Sequence, residues 1–243
     1  MFQRQRPLAE LFALPRVRGG HQRATLAAGA CLLTVVTLAA CSYDHDGAPS
    51  PVSASVRVEA EGCSTHAQVG GGSFVGHHRV VTVAHVVAGS TDVDVVLSDG
   101  TEKTATVVAL DRHKDLALLA VDADIEPLPL GAMRAGSHGE FVSWRSGGPR
   151  PLDFLATEVV DIRSSDIDHS STDLRRGYGI EANVLAGDSG SVLVSSGHAV
   201  AVVFARSAQS RNAGWATSID EVRTMLDMGN ETPVDLGACP THP

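Results

Sequence analysis

From Ser64 onward the chain alternates short apolar runs with Gly-rich or polar breaks. Ser73-Phe74-Val75, Arg79-Val80-Val81-Thr82-Val83 and Val93-Asp94-Val95-Val96-Leu97 are brief and rich in β-branched residues. Ser98-Asp99-Gly100 reads as a turn, and Thr104–Leu110 and Leu116–Val121 return as further strands before Pro127 and Pro129 close the first half. Glu140–Trp144, Leu155–Ile162, Tyr178–Ala182, Ser191–Val194, Ala199–Phe204 and Gly214–Thr217 repeat the style in the second half. Branched side chains suit a pleated, half-buried surface. Many such short runs at close spacing predict an all-β sandwich or barrel rather than alternating β and α units. Helical periodicity appears once: Ser218-Ile219-Asp220-Glu221 has the form of a capping box, and Ile219, Val222 and Leu226 share a face. A helix over about 218–228 is therefore expected. The polar stretch between Ile162 and Tyr178, with Asp161, Asp166, Asp168, His169 and Asp173, reads as a solvated loop, because its spacing matches no metal-ligand pattern.

A different pattern precedes the strands. Residues 1–23 hold Arg4, Arg6, Arg16, Arg18 and Arg23 against one acid, Glu10, and Ala24 to Ala40 contains no Asp, Glu, Lys or Arg. A basic region, an apolar stretch and small residues ahead of a cut mark a secretory signal peptide over 1–40. Leu38-Ala39-Ala40-Cys41 resembles the bacterial lipobox, which implies lipid attachment at Cys41 as the first mature residue. Ordinary cleavage nearby, or a short membrane span, are the other readings. All three place the remainder outside the cytoplasm: on the outer face of the cell membrane or in the periplasm as a lipoprotein, or otherwise secreted. Residues 41–60 read as a flexible tether, with Pro49 and Pro51 set among Ser, Gly, Ala and Asp. The globular part is then 61–243, long enough for one large domain or two small ones.

Charge narrows the partners. Without residues 1–40 the chain carries 14 basic and 27 acidic side chains, a balance of −13. That excludes nucleic acid and anionic lipid headgroups as electrostatic partners. Cys31 falls in the apolar segment and Cys41 is the expected lipid site, leaving Cys63 and Cys239 near the two ends of the globular part. In an oxidising compartment such a pair predicts a disulfide.

The candidate chemistry gathers around Gly187-Asp188-Ser189-Gly190-Ser191. Two glycines around a serine allow a sharp turn with backbone N–H groups converging on one point, which suits acyl transfer. The same composition suits an ordinary hairpin turn, so the reading depends on a base and an acid upstream. His85 ends the apolar run Val80-Val81-Thr82-Val83-Ala84, and Asp115 opens Asp115-Leu116-Ala117-Leu118-Leu119. A carboxylate directly before a buried strand needs a partner, and an imidazole N–H is a natural one. Asp111 is the rival acid, but it reads as a turn residue before Arg112.

Thr82-Val83-Ala84-His85, Asp115-Leu116-Ala117-Leu118-Leu119 and Gly187-Asp188-Ser189-Gly190 together resemble the three signature blocks of trypsin-like serine proteases. The order His, Asp, Ser is that of the chymotrypsin clan. Asp99-Gly100, the pair Asp111 and Asp115, and Trp215-Ala216-Thr217-Ser218-Ile219 bring the likeness nearest to the compact bacterial HtrA-like branch, over about residues 64–228. The resemblance implies two six-stranded antiparallel β-barrels of the chymotrypsin type, the first over about 64–128 and the second over about 136–217, with the C-terminal helix after them. It implies Ser189 as nucleophile, His85 as general base, Asp115 as the acid orienting the imidazole, and the backbone N–H groups of Gly187 and Ser189 as oxyanion hole. It implies a polypeptide substrate, no cofactor and no metal; the oligomeric state is not legible, and a monomer is the expectation. Nothing like Ile-Val-Gly-Gly precedes His85 to supply a new N-terminus for Asp188, so the partner of Asp188 is open. A binding or scaffolding module with little turnover, and a hydrolase of non-peptide esters, are the competing readings.

Overall fold

The computed structural model describes residues 49–145, 147–165, 167, 172–227 and 232–240. The signal segment, Cys31 and Cys41 lie outside the described residues.

Among the described residues twelve strands form two closed antiparallel barrels. In the first, β1 (Ser55–Glu61), β2 (Gln68–Gly76), β3 (Arg79–Thr82), β4 (Asp92–Val96), β5 (Glu102–Asp111) and β6 (Leu116–Val121) close in the order β1-β2-β3-β6-β5-β4. The second consists of β7 (His138–Ser143), β8 (Arg150–Ser165), β9 (Thr172–Glu181), β10 (Val192–Ser195), β11 (His198–Arg206) and β12 (Ala213–Ser218). Its order, β10-β11-β12-β9-β8-β7, is the same connectivity displaced by six strands. Closure leaves no sheet edge unpaired.

Each barrel holds its own apolar interior. Phe74, Val80, Leu116 and Leu119 are fully buried in one, and Phe141, Ile180 and Leu193 in the other. Burying each such side chain stabilises by about 1.5–3 kcal/mol. Every residue of β6 but Ala120 is buried, which accounts for its unbroken apolar sequence.

Three expectations change. Within the tether expected over 41–60, residues 51–60 form a helical turn, α1 (Pro51–Ala54), and most of β1. Ser55-Val56-Arg57-Val58-Glu59-Ala60 alternates, and Val56, Val58 and Ala60 point into the first barrel while β1 pairs with both β2 and β4. The first barrel therefore begins at Ser55, not near 64. The polar stretch after Ile162 is no loop where it is described, because β8 and β9 continue through it as one long hairpin pairing Ser165 with Thr172. Asp166, Asp168 and His169 lie outside the described residues. The third change is a single helical turn, α2 (Ala84–Val87), directly after β3.

The closing helix α3 runs Ile219–Asp227. Ile219, Val222 and Met225 are its buried face, with Leu226 half-buried beside them. Ser218 Oγ receives the Asp220 N–H at 3.4 Å, while Glu221 lies 3.7 Å from Lys114 Nζ, so the reciprocal half of the expected capping box is not made. Cys63 and Cys239 are joined by a disulfide that ties the start of the first barrel to the chain's last described residues. Among the described residues no helix is long and apolar enough to cross a membrane.

Candidate active site

Strand register brings His85 and Asp115 together. β3 and β6 pair antiparallel with Thr82 opposite Ala117, so the end of one strand lies beside the start of the other. His85 follows β3 in α2, and Asp115 immediately precedes β6. The His85 backbone N–H donates to Asp115 Oδ1 at 2.9 Å, and its ring Nδ1 lies 2.9 Å from Oδ2 and 3.1 Å from Oδ1. One carboxylate thus fixes both the ring and the turn that carries it. Asp111 takes the turn role expected of it, accepting from the N–H groups of His113 and Lys114.

Asp115 is buried, at 6 % exposure, and a third group shares its site. Arg175 of β9 is 4 % exposed, donates from Nη1 to the Lys114 carbonyl at 2.6 Å, and lies 3.7 Å from the centre of the Phe204 ring. Burial pushes the His85 imidazole down, and Arg175 acts in the same direction. The charge and hydrogen bond of Asp115 outweigh both, so its pKa stands above the ordinary histidine value. Arg175 is itself lowered by burial, against the opposing charges of Asp115, Asp111 and Glu221.

The second barrel supplies the serine. Its loop is pinned on both sides: Gly190 donates to the Val203 carbonyl at 2.7 Å, and Gly71 of β2 donates to the Ser189 carbonyl at 2.7 Å. Gly187 and Gly190 both have φ of 90°, a left-handed conformation that other L-residues rarely adopt. A Cβ on Gly190 would also stand 2.1 Å from the Gly71 oxygen. The run Gly70-Gly71-Gly72 makes the matching space in the first barrel, since a Cβ on Gly71 would lie 2.4 Å from Ser191 Oγ. Ser191 uses that space to donate to the Val142 carbonyl at 2.8 Å.

The backbone donors of this turn divide into two sets. Asp188, Gly190 and Ser191 donate to the carbonyls of Leu185, Val203 and Asp188. The N–H groups of Gly187 and Ser189 find no acceptor among the described residues. Ser189 Oγ itself is held only loosely, 3.5 Å from the Phe204 carbonyl.

Asp188 has a side-chain partner. Its carboxylate is fully buried, receives the Ser143 hydroxyl at 2.6 Å and the Leu185 N–H at 2.9 Å, and lies 3.0 Å from Arg145 Nε. Arg145 donates from the same nitrogen to Ser143 Oγ at 2.8 Å. An internal guanidinium thus occupies the role that a buried N-terminus would otherwise fill. Arg145, Arg175 and the Gly70–Gly72 run had no mark in the sequence, because each acts on a residue far from it along the chain. Among the described residues no group of His, Cys, Asp or Glu side chains could hold a metal ion.

A model of the trypsin-like peptidase domain matches residues 70–202, more than half of the chain. The chain belongs to this family. It is 34% identical over 182 residues to the serine protease Rv3671c of Mycobacterium tuberculosis, covering 70% of this chain and 44% of that one. It is 31% identical over 174 residues to the chloroplastic Protease Do-like 1 of Arabidopsis thaliana, covering 66% and 39%. The chain therefore spans less than half the length of these curated relatives. Among solved structures, the active form of the Rv3671c protease superposes with a TM-score of 0.71 at 31% identity, covering 79% of this chain and 87% of that one. An inactive form of the same protease gives 0.60 at 31% identity, covering 73% and 88%.

Proposed function

We propose that this protein is an exported serine endopeptidase acting through a covalent acyl-enzyme. Ser189 Oγ attacks the scissile carbonyl while His85 takes its proton and then delivers it to the leaving amine. Asp115 holds the imidazole in the tautomer that leaves Nε2 free to accept, and stabilises the imidazolium that forms. The N–H groups of Gly187 and Ser189 receive the oxyanion, where one donor contributes about 3 kcal/mol of barrier lowering. Two observations carry this reading: His85 Nδ1 is paired with Asp115, and the serine turn leaves the Gly187 and Ser189 N–H groups without acceptors among the described residues.

The substrate is a polypeptide. Residues 1–40 direct export, and a lipid on Cys41 tethers the domain to the outer face of the membrane. Metabolic labelling with a radioactive fatty acid, lost in Cys41→Ala, tests the tether.

The nucleophile is tested by fluorophosphonate labelling of the full chain beside Ser189→Ala. Labelling of the parent alone, with cleavage of casein, supports the endopeptidase. Absence of labelling in both defeats it, and turnover of small esters without casein cleavage redirects it to ester hydrolysis.

A further inference from the structure

Ser189 opens onto a cavity of about 870 Å³ whose wall includes Arg57, Trp144, Arg145, Leu185 and Arg206. A second cavity of about 850 Å³ shares Leu185 and Arg206 with it and adds Arg211. Among the described residues no Asp or Glu lines either one, although acidic residues outnumber basic ones in the chain by nine. The surplus of guanidinium at the nucleophile runs against the charge of the whole molecule.

These arginines are not equivalent. Arg57 is paired with Glu59 and Arg145 with Asp188, so their charges are matched internally. Arg206 and Arg211 are exposed, and neither has an ion-pair partner among the described residues. Arg206 lies two residues after Phe204, whose carbonyl is 3.5 Å from Ser189 Oγ. A chain bound across the serine therefore passes Arg206 closely. Two unmatched positive charges in a cavity wall with no carboxylate among the described residues select a ligand that brings acceptors and negative charge, and a carboxylate does both.

We propose that these cavities select polypeptide segments carrying Asp or Glu side chains close to the bond that is cut, with Arg206 and Arg211 reading the charge. The preference deepens the endopeptidase reading and rests on it for its consequence in catalysis, whereas the binding step stands independently. Neutral amides of the same shape supply only half the acceptors and no charge, so Glu is separated from Gln at these sites.

The test uses three fluorescein-labelled Ala/Val dodecapeptides, with Glu, Gln or Lys at every third position. Their affinities for the full-length Ser189→Ala protein are measured by anisotropy at low and high salt, and the parent protein is offered the Glu and Gln peptides as substrates. The Glu peptide is expected to bind about tenfold more tightly at low salt, with the ratio shrinking as salt screens it. In an Arg206→Gln/Arg211→Gln background the ratio falls to near one. Arg206→Glu, a second variant, turns the preference towards a Lys peptide, which separates charge reading from misfolding. Equal affinities for Glu and Gln, or a preference that survives the double substitution, overturn the proposal. Cleavage of both peptides without discrimination defeats the acidic preference alone. Tight binding of the Glu peptide with no cleavage and no fluorophosphonate labelling leaves the preference standing and defeats the endopeptidase.

Discussion

Arg145 Nε stands 3.0 Å from Oδ1 of Asp188, a carboxylate with no exposed surface directly before Ser189 in the chain. The pair sets the conformation of the turn from inside: Asp188 is held by Arg145 and Ser143, and in turn holds the Leu185 N–H. Arg145→Ala leaves the carboxylate buried without its cation, which costs about 3–5 kcal/mol where such a pair is broken. Arg145 is partly exposed, and the lower end applies. The fluorophosphonate labelling rate is expected to fall by roughly 100-fold, with Arg145→Lys restoring part of it. A variant that labels like the parent would show that the turn needs no internal cation.

Asp115→Asn is expected to lower kcat by about 10⁴-fold with little change in KM, the magnitude known for this substitution in a Ser-His-Asp triad. The amide can donate to His85 Nδ1 where the carboxylate only accepts, so the imidazole is held in the wrong tautomer. Steady-state kinetics on one peptide substrate, with circular dichroism to confirm folding, checks it. Because Asp115 also receives the His85 backbone N–H, Asp115→Ala is expected to lower the melting temperature as well.

The pH profile reports on Arg175. The proposed base, His85, must be neutral to act, so kcat/KM is expected to fall as pH drops through its pKa, which Asp115 holds above the ordinary value despite burial. Arg175 opposes Asp115, while Asp111, Glu221 and Lys114 complete the charged surroundings. Removing the guanidinium makes the imidazolium easier to form. Arg175→Met is therefore expected to move the acid limb of the profile to higher pH, and an unchanged or lowered limb would refute the assignment.

The two barrels meet through glycine. Gly71→Ala places a Cβ 2.4 Å from Ser191 Oγ, and Gly190→Ala adds a left-handed backbone to a 2.1 Å clash with the Gly71 oxygen. Both substitutions are expected to reduce activity, Gly190→Ala more severely. The double variant Gly71→Ala/Ser191→Gly is expected to recover part of the loss from Gly71→Ala, because it removes the hydroxyl at 2.4 Å but leaves the position's backbone N and Cα at 3.0 and 3.1 Å from the new methyl. Rescue measured as kcat/KM separates this steric pairing from a general loss of stability.

Apart from β1 and the polar ends of β8 and β9, the strands were legible because each carries its own apolar run between turn residues, as Leu116–Val121 and Ala199–Phe204 do. β1 was not, because its alternation begins directly after a Pro- and Ser-rich stretch whose composition resembles a linker. Only pairing with both β2 and β4 distinguishes Val56, Val58 and Ala60 from tether residues. At the site, His85, Asp115 and Ser189 stood out through their local contexts. Arg145 and Arg175 did not, since an arginine in a turn or a strand looks like surface until its distant carboxylate is known. The helical turn around His85 was hidden for a related reason: Ala84-His85-Val86-Val87 has no helical preference strong enough to show, and packing decides it.

The disulfide between Cys63 and Cys239 closes a loop across 176 positions, nearly the whole globular part. In the chain-entropy account a loop of that length restricts the unfolded chain enough to stabilise the fold by about 5 kcal/mol. Its ends also meet beside the site: Cys63 Sγ lies 3.3 Å from the Ala88 carbonyl, and the Gly89 N–H donates to Leu236 at 2.9 Å, just beyond the turn that holds His85. Cys63→Ser/Cys239→Ser is expected to lower Tm by roughly 10 °C. The strand core contains neither cysteine, so the variant should keep its far-ultraviolet spectrum below the transition. Calorimetry of the two proteins at equal concentration checks both statements, and a Tm within a degree of the parent would show that packing of the last residues, not the covalent link, holds the chain's end in place.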